Sequence, residues 1–318
     1  MMVKELVIAV SLGLLSALLL FVSIIGNDGS ADFGAAFQSL VLWTLSLVPL
    51  FVSGLGFGVL SAGVSVLTGA LLFVVLLNPV FGATYAVLSG APVILLARQA
   101  LLWREHDGKR FWYPTEYLML WWVGICVILT TGIVSLLYLN DEMRQELITG
   151  FDQALSQLKD LRGVDPTVTA EDLVAIIPLV IGPMWGVFIL LGGCLAQGLL
   201  VRFDKNMRPT PRLTEMELPK WSALALIATT ALFVIVGSSW PIIGALVVAL
   251  GIAYFFQGMA VIMVVTRGRN GRPFILGAIY VLMFLMFWPI VVVIILGLIE
   301  KWIGFRRRFA VTAPQEED

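Results

Sequence analysis

Four uncharged polar side chains sit in or beside long apolar runs and are the natural hydrogen-bonding groups for a ligand: Asn78, Tyr85, Gln197 and Gln257. The chemistry open to them is modest. An amide or phenol can orient a small solute, or it can bridge two helices, a contact worth only about 0.6–2 kcal/mol inside a membrane. Both readings stand for each of the four. Catalysis needs more. Proton relays, ion coupling and hydrolysis within a bilayer rest on ionisable groups, and the interiors of the apolar runs hold essentially none. Arg98 and Glu116 lie at run ends, where snorkelling and the helix dipole account for them. The one histidine, His106, lies in the charged loop Arg104-Glu-His-Asp-Gly-Lys109 and reads as solvated. Cys126 and Cys194 fall in apolar runs and read as buried small hydrophobes, not as a disulfide or metal pair. No zinc-protease, nucleophile-elbow or phosphate-loop pattern occurs. The expectation is a protein that is not an enzyme and carries no metal or cofactor.

The elements that must position these groups follow from composition. Apolar residues make up 59% of the 318-residue chain and charged residues 13%, against roughly 45–50% and about 25% in soluble domains. The excess is gathered into nine runs: Leu6–Ile25, Phe37–Ser53, Phe57–Leu77, Val80–Leu102, Tyr117–Leu139, Leu173–Val201, Trp221–Val236, Pro241–Val265 and Phe274–Ile299. Most reach the roughly 17–25 residues a helix needs to cross the hydrocarbon, and the second and seventh are marginal. The first run is too long for a signal peptide and no small-residue cleavage site follows it. The fold class expected is all-α: one integral membrane domain over residues 1–318, a polytopic bundle of eight or nine spans.

Lys and Arg set the orientation. With the N-terminus in the cytoplasm, Lys4 and the basic loops 98–116, 202–220 and 266–273 lie inside, and thirteen bases face the cytoplasm against seven outside. Nine spans would send the tail, with Lys301 and Arg306–Arg308, to the outer side. Eight spans and a cytoplasmic tail are preferred.

The stretch 140–172 carries eight acids against Arg144, Lys159 and Arg162. Asn140 suits an N-cap, and Met143, Leu147, Phe151, Leu155 and Leu158 recur at helical spacing, predicting an amphipathic surface helix near 141–161 on the outer face. Thr169-Ala-Glu-Asp172 reads as a capping box for the next span. Pro209 and Pro211 predict an extended loop over 202–220, whose bases meet lipid headgroups or a soluble partner. Phe111-Trp-Tyr-Pro114 reads as an interfacial aromatic anchor ahead of a helix start.

Small residues form the strongest patterns. Ala9, Gly13 and Ala17 recur every four residues, as do Gly54, Gly58 and Ala62, with Ser61, Ser65 and Gly69 alongside. Gly237, Gly244, Gly251 and Gly258 are spaced by seven. Such stripes let helix backbones touch, within one chain or against a second membrane protein. The glycine cluster Gly54–Gly58 predicts a close-packing hinge between two spans.

The chain resembles the YybS-like family of bacterial membrane proteins. The resemblance rests on Pro49-Leu-Phe-Val-Ser-Gly-Leu-Gly-Phe-Gly58, Gly90-Ala-Pro92, Trp112-Tyr-Pro114, Thr266-Arg-Gly-Arg269 and Gly297-Leu-Ile-Glu-Lys-Trp-Ile-Gly-Phe-Arg306. It implies a multi-pass inner-membrane protein, distantly similar to the S-components of energy-coupling-factor transporters. Those meet a membrane partner through small-residue stripes on early helices, which here map to Ala9, Gly13 and Ala17. The expected partners are therefore the bilayer, a second membrane protein and a small-molecule ligand, and not nucleic acid. The function expected is a transporter-like component that binds a solute or lipid and needs a separate energising partner. The alternative is a membrane scaffold or assembly factor.

Overall fold

A segment inside lipid has no water to satisfy its peptide groups, so each apolar run closes them on itself as helix. The computed structural model describes residues 3–26, 33–162, 168–237, 240–267, 271–286 and 288–310. In chain order come α1 (Val3–Ile25), α2 (Phe33–Phe57), α3 (Val59–Leu76) and α4 (Pro79–Tyr85). A π-helical turn over Ala86–Gly90 joins α4 to α5 (Ala91–Ala100). Two short strands, β1 (Trp103–His106) and β2 (Lys109–Trp112), precede α6 (Thr115–Leu139), α7 (Asp141–Arg162) and α8 (Ala170–Arg202). The chain ends with α9 (Lys220–Val236), α10 (Pro241–Val265), α11 (Arg272–Leu285), α12 (Trp288–Ile303) and α13 (Phe305–Ala310).

Seven of these are long and apolar enough to cross a membrane: α1, α2, α3, the joined α4–α5, α6, α8 and α10. The all-α polytopic bundle is thus what the chain forms. Its surface is correspondingly apolar, with side chains such as Leu60 and Val75 about four-fifths exposed. The amphipathic segment is present as α7, opened by Asp141 and Glu142 and with the Asn140 Oδ1 accepting the Met143 amide. Thr169 and Asp172 make the capping box of α8 with both reciprocal bonds.

The contact pattern divides the chain into two compact units: Met1–Pro114 with Gly124–Thr210, and Thr115–Val123 with Pro211–Asp318. In the first unit, α1, α2 and α3 meet through small residues. Ala9, Ala17 and Ala62 are fully buried, and the Gly13 Cα lies against the Ser65 carbonyl of α3. A methyl on Gly54 would come 2.8 Å from the Ala97 Cβ, and one on Gly192 2.8 Å from the Leu47 Cβ. Where a glycine Cα faces a carbonyl or hydroxyl at this range, its hydrogen makes a weak C–H···O contact.

The hinge needs a correction. Helix α2 continues straight through Gly54 and Gly56, and the break falls at Gly58 alone (φ 94°, ψ 168°). Nothing lies within 4 Å of a methyl placed there. Gly58 is required by its backbone conformation, which is essentially closed to other residues, and not by close packing.

In the second unit, α9 folds back on α10, and Ser222 near the start of α9 bonds Tyr254 in the latter half of α10 at 2.8 Å. The glycine seam of α10 receives α12. Gly258 faces the Val293 carbonyl, Gly297 faces the Tyr254 carbonyl in return, and Gly251 touches Ile294. Gly244 is buried in the same helix.

The run Phe274–Ile299 is not one span. Helix α11 stops at Leu285, Met286 is extended (φ −137°, ψ 136°), and α12 starts at Trp288. Helix α11 begins seven residues beyond the end of α10, and α12 ends beside the loop that precedes α9. In that loop the Glu217 carboxylate takes the Lys301 ammonium at 2.7 Å. Both ends of the α11–α12 pair therefore lie at the same face of the unit, and the pair is a hairpin. Nine crossings would put the tail on the opposite face. The Lys301–Glu217 pair holds the tail beside the 211–219 loop, and α9, at 17 residues, is apolar but shorter than the seven long helices.

Two kinds of glycine predict two responses. Gly58→Ala should lose about 1–3 kcal/mol from backbone strain, and Gly258→Leu should lose more because a carbonyl blocks the side chain. Gly63→Ala, with ordinary helical geometry and open space beside it, should hold or raise the melting temperature. Thermal unfolding of the purified variants in one detergent ranks the three.

Candidate functional site

The polar groups buried in the first unit form two hydroxyl clusters. On one, the Ser65 Oγ donates to the Ala9 carbonyl at 2.7 Å and lies 2.7 Å from the Ser53 Oγ, which is 2.8 Å from the Ser61 Oγ. On the other, the Ser16 Oγ donates to the Ser46 carbonyl at 2.6 Å, so the Tyr85 hydroxyl, 2.8 Å away, must donate to Ser16. Ser16, Ser53, Ser61 and Ser65 are fully buried. The Tyr85 ring packs on Phe73, with centroids 5.3 Å apart, and over Gly69. These hydroxyls knit α1, α2, α3 and α4 together.

Two proline sites shape the rest of this unit. Pro92 has no N–H for the Leu88 carbonyl four residues earlier, and the Trp185 indole of α8 donates to that carbonyl instead at 3.2 Å. Trp185 and Phe188 in turn hold Trp43 edge-on at 4.3 and 5.1 Å. Pro178 and Pro183 lie inside the continuous helix α8, each without an N–H for the carbonyl four residues earlier, and between them the Gly182 Cα faces the Thr130 hydroxyl. Among the described residues the Thr130 Oγ1 is a buried side-chain oxygen without a hydrogen-bond partner.

The four expected ligand-binding groups are scattered. Asn78 is exposed, and its Oδ1 caps α4 by accepting the Val80 and Phe81 amides at 2.9 and 3.2 Å. Tyr85 is committed to Ser16. Gln197 is half-buried and donates from Nε2 to the Arg208 carbonyl at 3.1 Å and to the Thr210 hydroxyl at 3.3 Å. Gln257 is fully buried in the second unit, taking the Leu218 amide at 2.8 Å and giving to the Gly297 carbonyl at 2.7 Å. Each of the four bridges the protein to itself. The small-residue positions Ala9, Gly13, Ala17, Gly54, Ala62, Gly244 and Gly251 likewise serve packing inside their own unit.

Charge is organised at the helix ends. Arg208, read as a headgroup or partner contact, is instead 8% exposed. Its guanidinium donates to the Ala100 carbonyl at 3.0 Å and to the Tyr113 carbonyl at 2.9 Å. Those carbonyls flank β1 and β2, so Arg208 ties the base of that hairpin to the 203–210 segment. Burial lowers its pKa from the ordinary arginine value. The hairpin itself turns at Asp107-Gly108, both with positive φ, and pairs Trp103 with Trp112 and His106 with Lys109. Arg110 lies 4.8 Å over the Trp103 ring. Cys126 is buried, whereas Cys194 is exposed and not the buried hydrophobe expected.

The second unit has its own charged tie. Glu300, 5% exposed, accepts the Phe305 and Arg306 amides at 2.8 and 3.1 Å and the Arg306 Nε at 3.0 Å. Arg306 then donates to the Thr214 and Met216 carbonyls at 3.0 and 2.8 Å. Glu217 beside it is held below the usual carboxylate range, chiefly by the Lys301 hydrogen bond and further by the Lys301, Arg306 and Arg307 charges, with partial burial opposing. No group of three or more metal-binding side chains occurs among the described residues.

The chain belongs to the family described as Predicted membrane protein (DUF2232). The family's profile matches residues 33–300. Helices α2 to α11, most of α12 and the Arg208 tie fall inside that range, while α1 with Ala9, Gly13 and Ala17, α13 and Arg306 lie outside it. No curated protein and no solved structure matches this chain.

Sequence reasoning missed Arg208, the Glu300–Arg306 tie and the β-hairpin. The hairpin had a legible signal, an Asp-Gly pair flanked by Trp103-Arg-Glu-His and Lys-Arg-Phe-Trp112, the usual mark of a two-residue turn. The two charged ties had none, because the carbonyls that take the Arg208 and Arg306 guanidinium groups are distant in the chain.

Glu217 gives a pH test. Its pKa is lower folded than unfolded, so its contribution is complete above the unfolded value, near 4.3, and is lost as pH falls through the folded one. Wild type and Glu217→Gln should therefore differ in melting temperature at pH 7, and the gap should shrink progressively as pH falls below the unfolded value. A gap that stays constant across that range would remove Glu217 from the tie.

Proposed function

We propose that this protein is a non-catalytic, transporter-like component of the bacterial inner membrane. It binds a small solute or a lipid among its helices and depends on a separate partner for energy. One contrast carries the reading. Helices are interrupted at Gly58, at the π-helical turn over Ala86–Gly90 and between α11 and α12, and the continuous α8 carries two internal prolines, Pro178 and Pro183. Yet every ion pair found among the described residues lies in a loop, at a helix end or in the tail. Interrupted helices suit a bundle that rearranges around a ligand. A span interior without charge has no residue with which to couple a proton or sodium gradient.

The N-terminus is assigned to the cytoplasm. With the tail beside the 211–219 loop, that orientation leaves only Arg144, Lys159 and Arg162 outside, a sharper bias than the sequence alone permits. The likeness to YybS-like proteins and S-components supports the same class. A partner-binding role for Ala9, Gly13 and Ala17 is not part of the proposal, since α2 and α3 already cover that stripe.

A scaffold role is the second reading, favoured by the exposed, cationic hairpin at Arg104, Lys109 and Arg110 and by exposed Arg212. Substituting Arg104 and Arg212 by Ala should then release a bound protein while leaving ligand retention intact.

Native mass spectrometry after extraction in mild detergent tests the leading reading. The expected spectrum carries a retained small molecule or lipid together with a co-purifying membrane protein. A bare, fully delipidated monomer as the sole species would count against it. A reporter fused after Asp318 should score cytoplasmic.

A further inference from the structure

The β1–β2 hairpin is tethered to the bilayer at both ends. Leu101 and Leu102 alone separate it from the end of the α4–α5 span at Ala100, and Tyr113 and Pro114 alone from the start of α6 at Thr115. The Tyr113 amide closes its base on the Leu102 carbonyl at 2.8 Å, and Arg208 fixes the same base through the Ala100 and Tyr113 carbonyls. Each strand has four residues and so extends only about 13 Å. The whole hairpin is therefore confined to the neighbourhood of the headgroup layer.

Its register sorts charge by face. Directly paired residues share a face, and successive residues alternate. One face carries Trp103, Glu105, Arg110 and Trp112, and the other Arg104, His106, Lys109 and Phe111. On the first, Glu105 is paired directly with Arg110, whose guanidinium also lies over the Trp103 ring. The second has no acid. Asp107 sits at the turn, with its carboxylate 3.5 Å from His106, and Arg104 and Lys109 make no ion pair among the described residues. Arg104 and Lys109 stand on a diagonal of that face, where a separation of about 7–8 Å lets two long side chains reach one group between them. Phe111, paired directly with Arg104, is 56% exposed.

We propose that this face binds anionic phospholipid, with Arg104 and Lys109 converging on one headgroup phosphate and Phe111 seated in the interface beside it. Charge complementarity selects the ligand: two unpaired cations, held at the membrane surface, meet lipid phosphate before any soluble anion. An exposed aromatic ring next to those cations fits a molecule that is anionic at its head and apolar immediately below. The site is on the surface of the bundle and does not depend on a solute or lipid being held among the helices.

Native mass spectrometry tests it on the full-length protein, titrated in mild detergent with dioleoyl phosphatidylglycerol or dioleoyl phosphatidylcholine. Wild type should bind the anionic lipid at least about fivefold more tightly than the zwitterionic one. Arg104→Ala with Lys109→Ala should erase that preference, whereas the exchange Arg104→Lys with Lys109→Arg should keep most of it. Arg212→Ala with Arg272→Ala removes the same charge from other exposed positions and should leave it unchanged. A wild type without preference would overturn the site, as would a preference that survives loss of Arg104 and Lys109, or one lost equally in the charge-matched control. A co-purifying protein that departs with Arg104 and Lys109 while lipid binding holds would give this face to a protein partner and overturn it too. Matching melting temperatures show that each variant is folded.

Discussion

Peptide groups in lipid have nowhere to turn but to one another, and that constraint governs the whole bundle. Once each run has closed its own bonds as helix, little apolar driving force remains to bring helices together, because lipid tails are as apolar as leucine. Association then depends on how closely backbones approach. Gly13 against Ser65, Gly258 against Val293 and Gly297 against Tyr254 put a Cα onto a neighbouring carbonyl. The serine clusters around Ser16 and Ser65 and the bifunctional Gln257 add polar contacts at the same close range. None of these positions has room for a larger residue without moving a backbone.

Charge works at the periphery, where water is near. Arg208 and Arg306 do the same job in the two units, each giving guanidinium N–H groups to two backbone carbonyls, those of Ala100 and Tyr113 in one case and of Thr214 and Met216 in the other. Arginine suits this because its donors are fixed in a plane and its charge survives burial. Glu300 balances Arg306 and also collects two amides at the start of α13, so its carboxylate is compensated by hydrogen bonds as well as by charge. A buried pair so fully bonded is costly to break by losing one member, whatever its net worth to stability.

Helix positions and the amphipathic segment were legible from hydropathy because length and period are local properties. Capping at Thr169 and Asp172 was legible for the same reason. Three features were hidden by apolar monotony. The run Phe274–Ile299 looks continuous, since Met286, Trp288 and Pro289 are as compatible with a span as with a turn. Gly54, Gly56 and Gly58 look alike in sequence, yet two continue a helix and one ends it. The stripe at Ala9, Gly13 and Ala17 announces close packing without saying against what, and here the partner is α2 and α3. For the four polar candidates, residue type foretold hydrogen bonding, while the partners were set by tertiary structure: own-helix capping at Asn78, interhelical bridging at Tyr85 and Gln257.

The tie between Arg306 and the 213–216 segment also bears on how the protein is made. The Met216 carbonyl and Arg306 are 90 positions apart, and Gln257 waits 40 positions for the Gly297 carbonyl. During synthesis α9 and α10 reach the membrane with these acceptors and donors unmatched, and α12 and the basic tail supply them last. The second unit thus cannot close until translation has almost finished. A chain ending before Gly297 would leave a fully buried amide without its mate, a plain signal for membrane quality control to read.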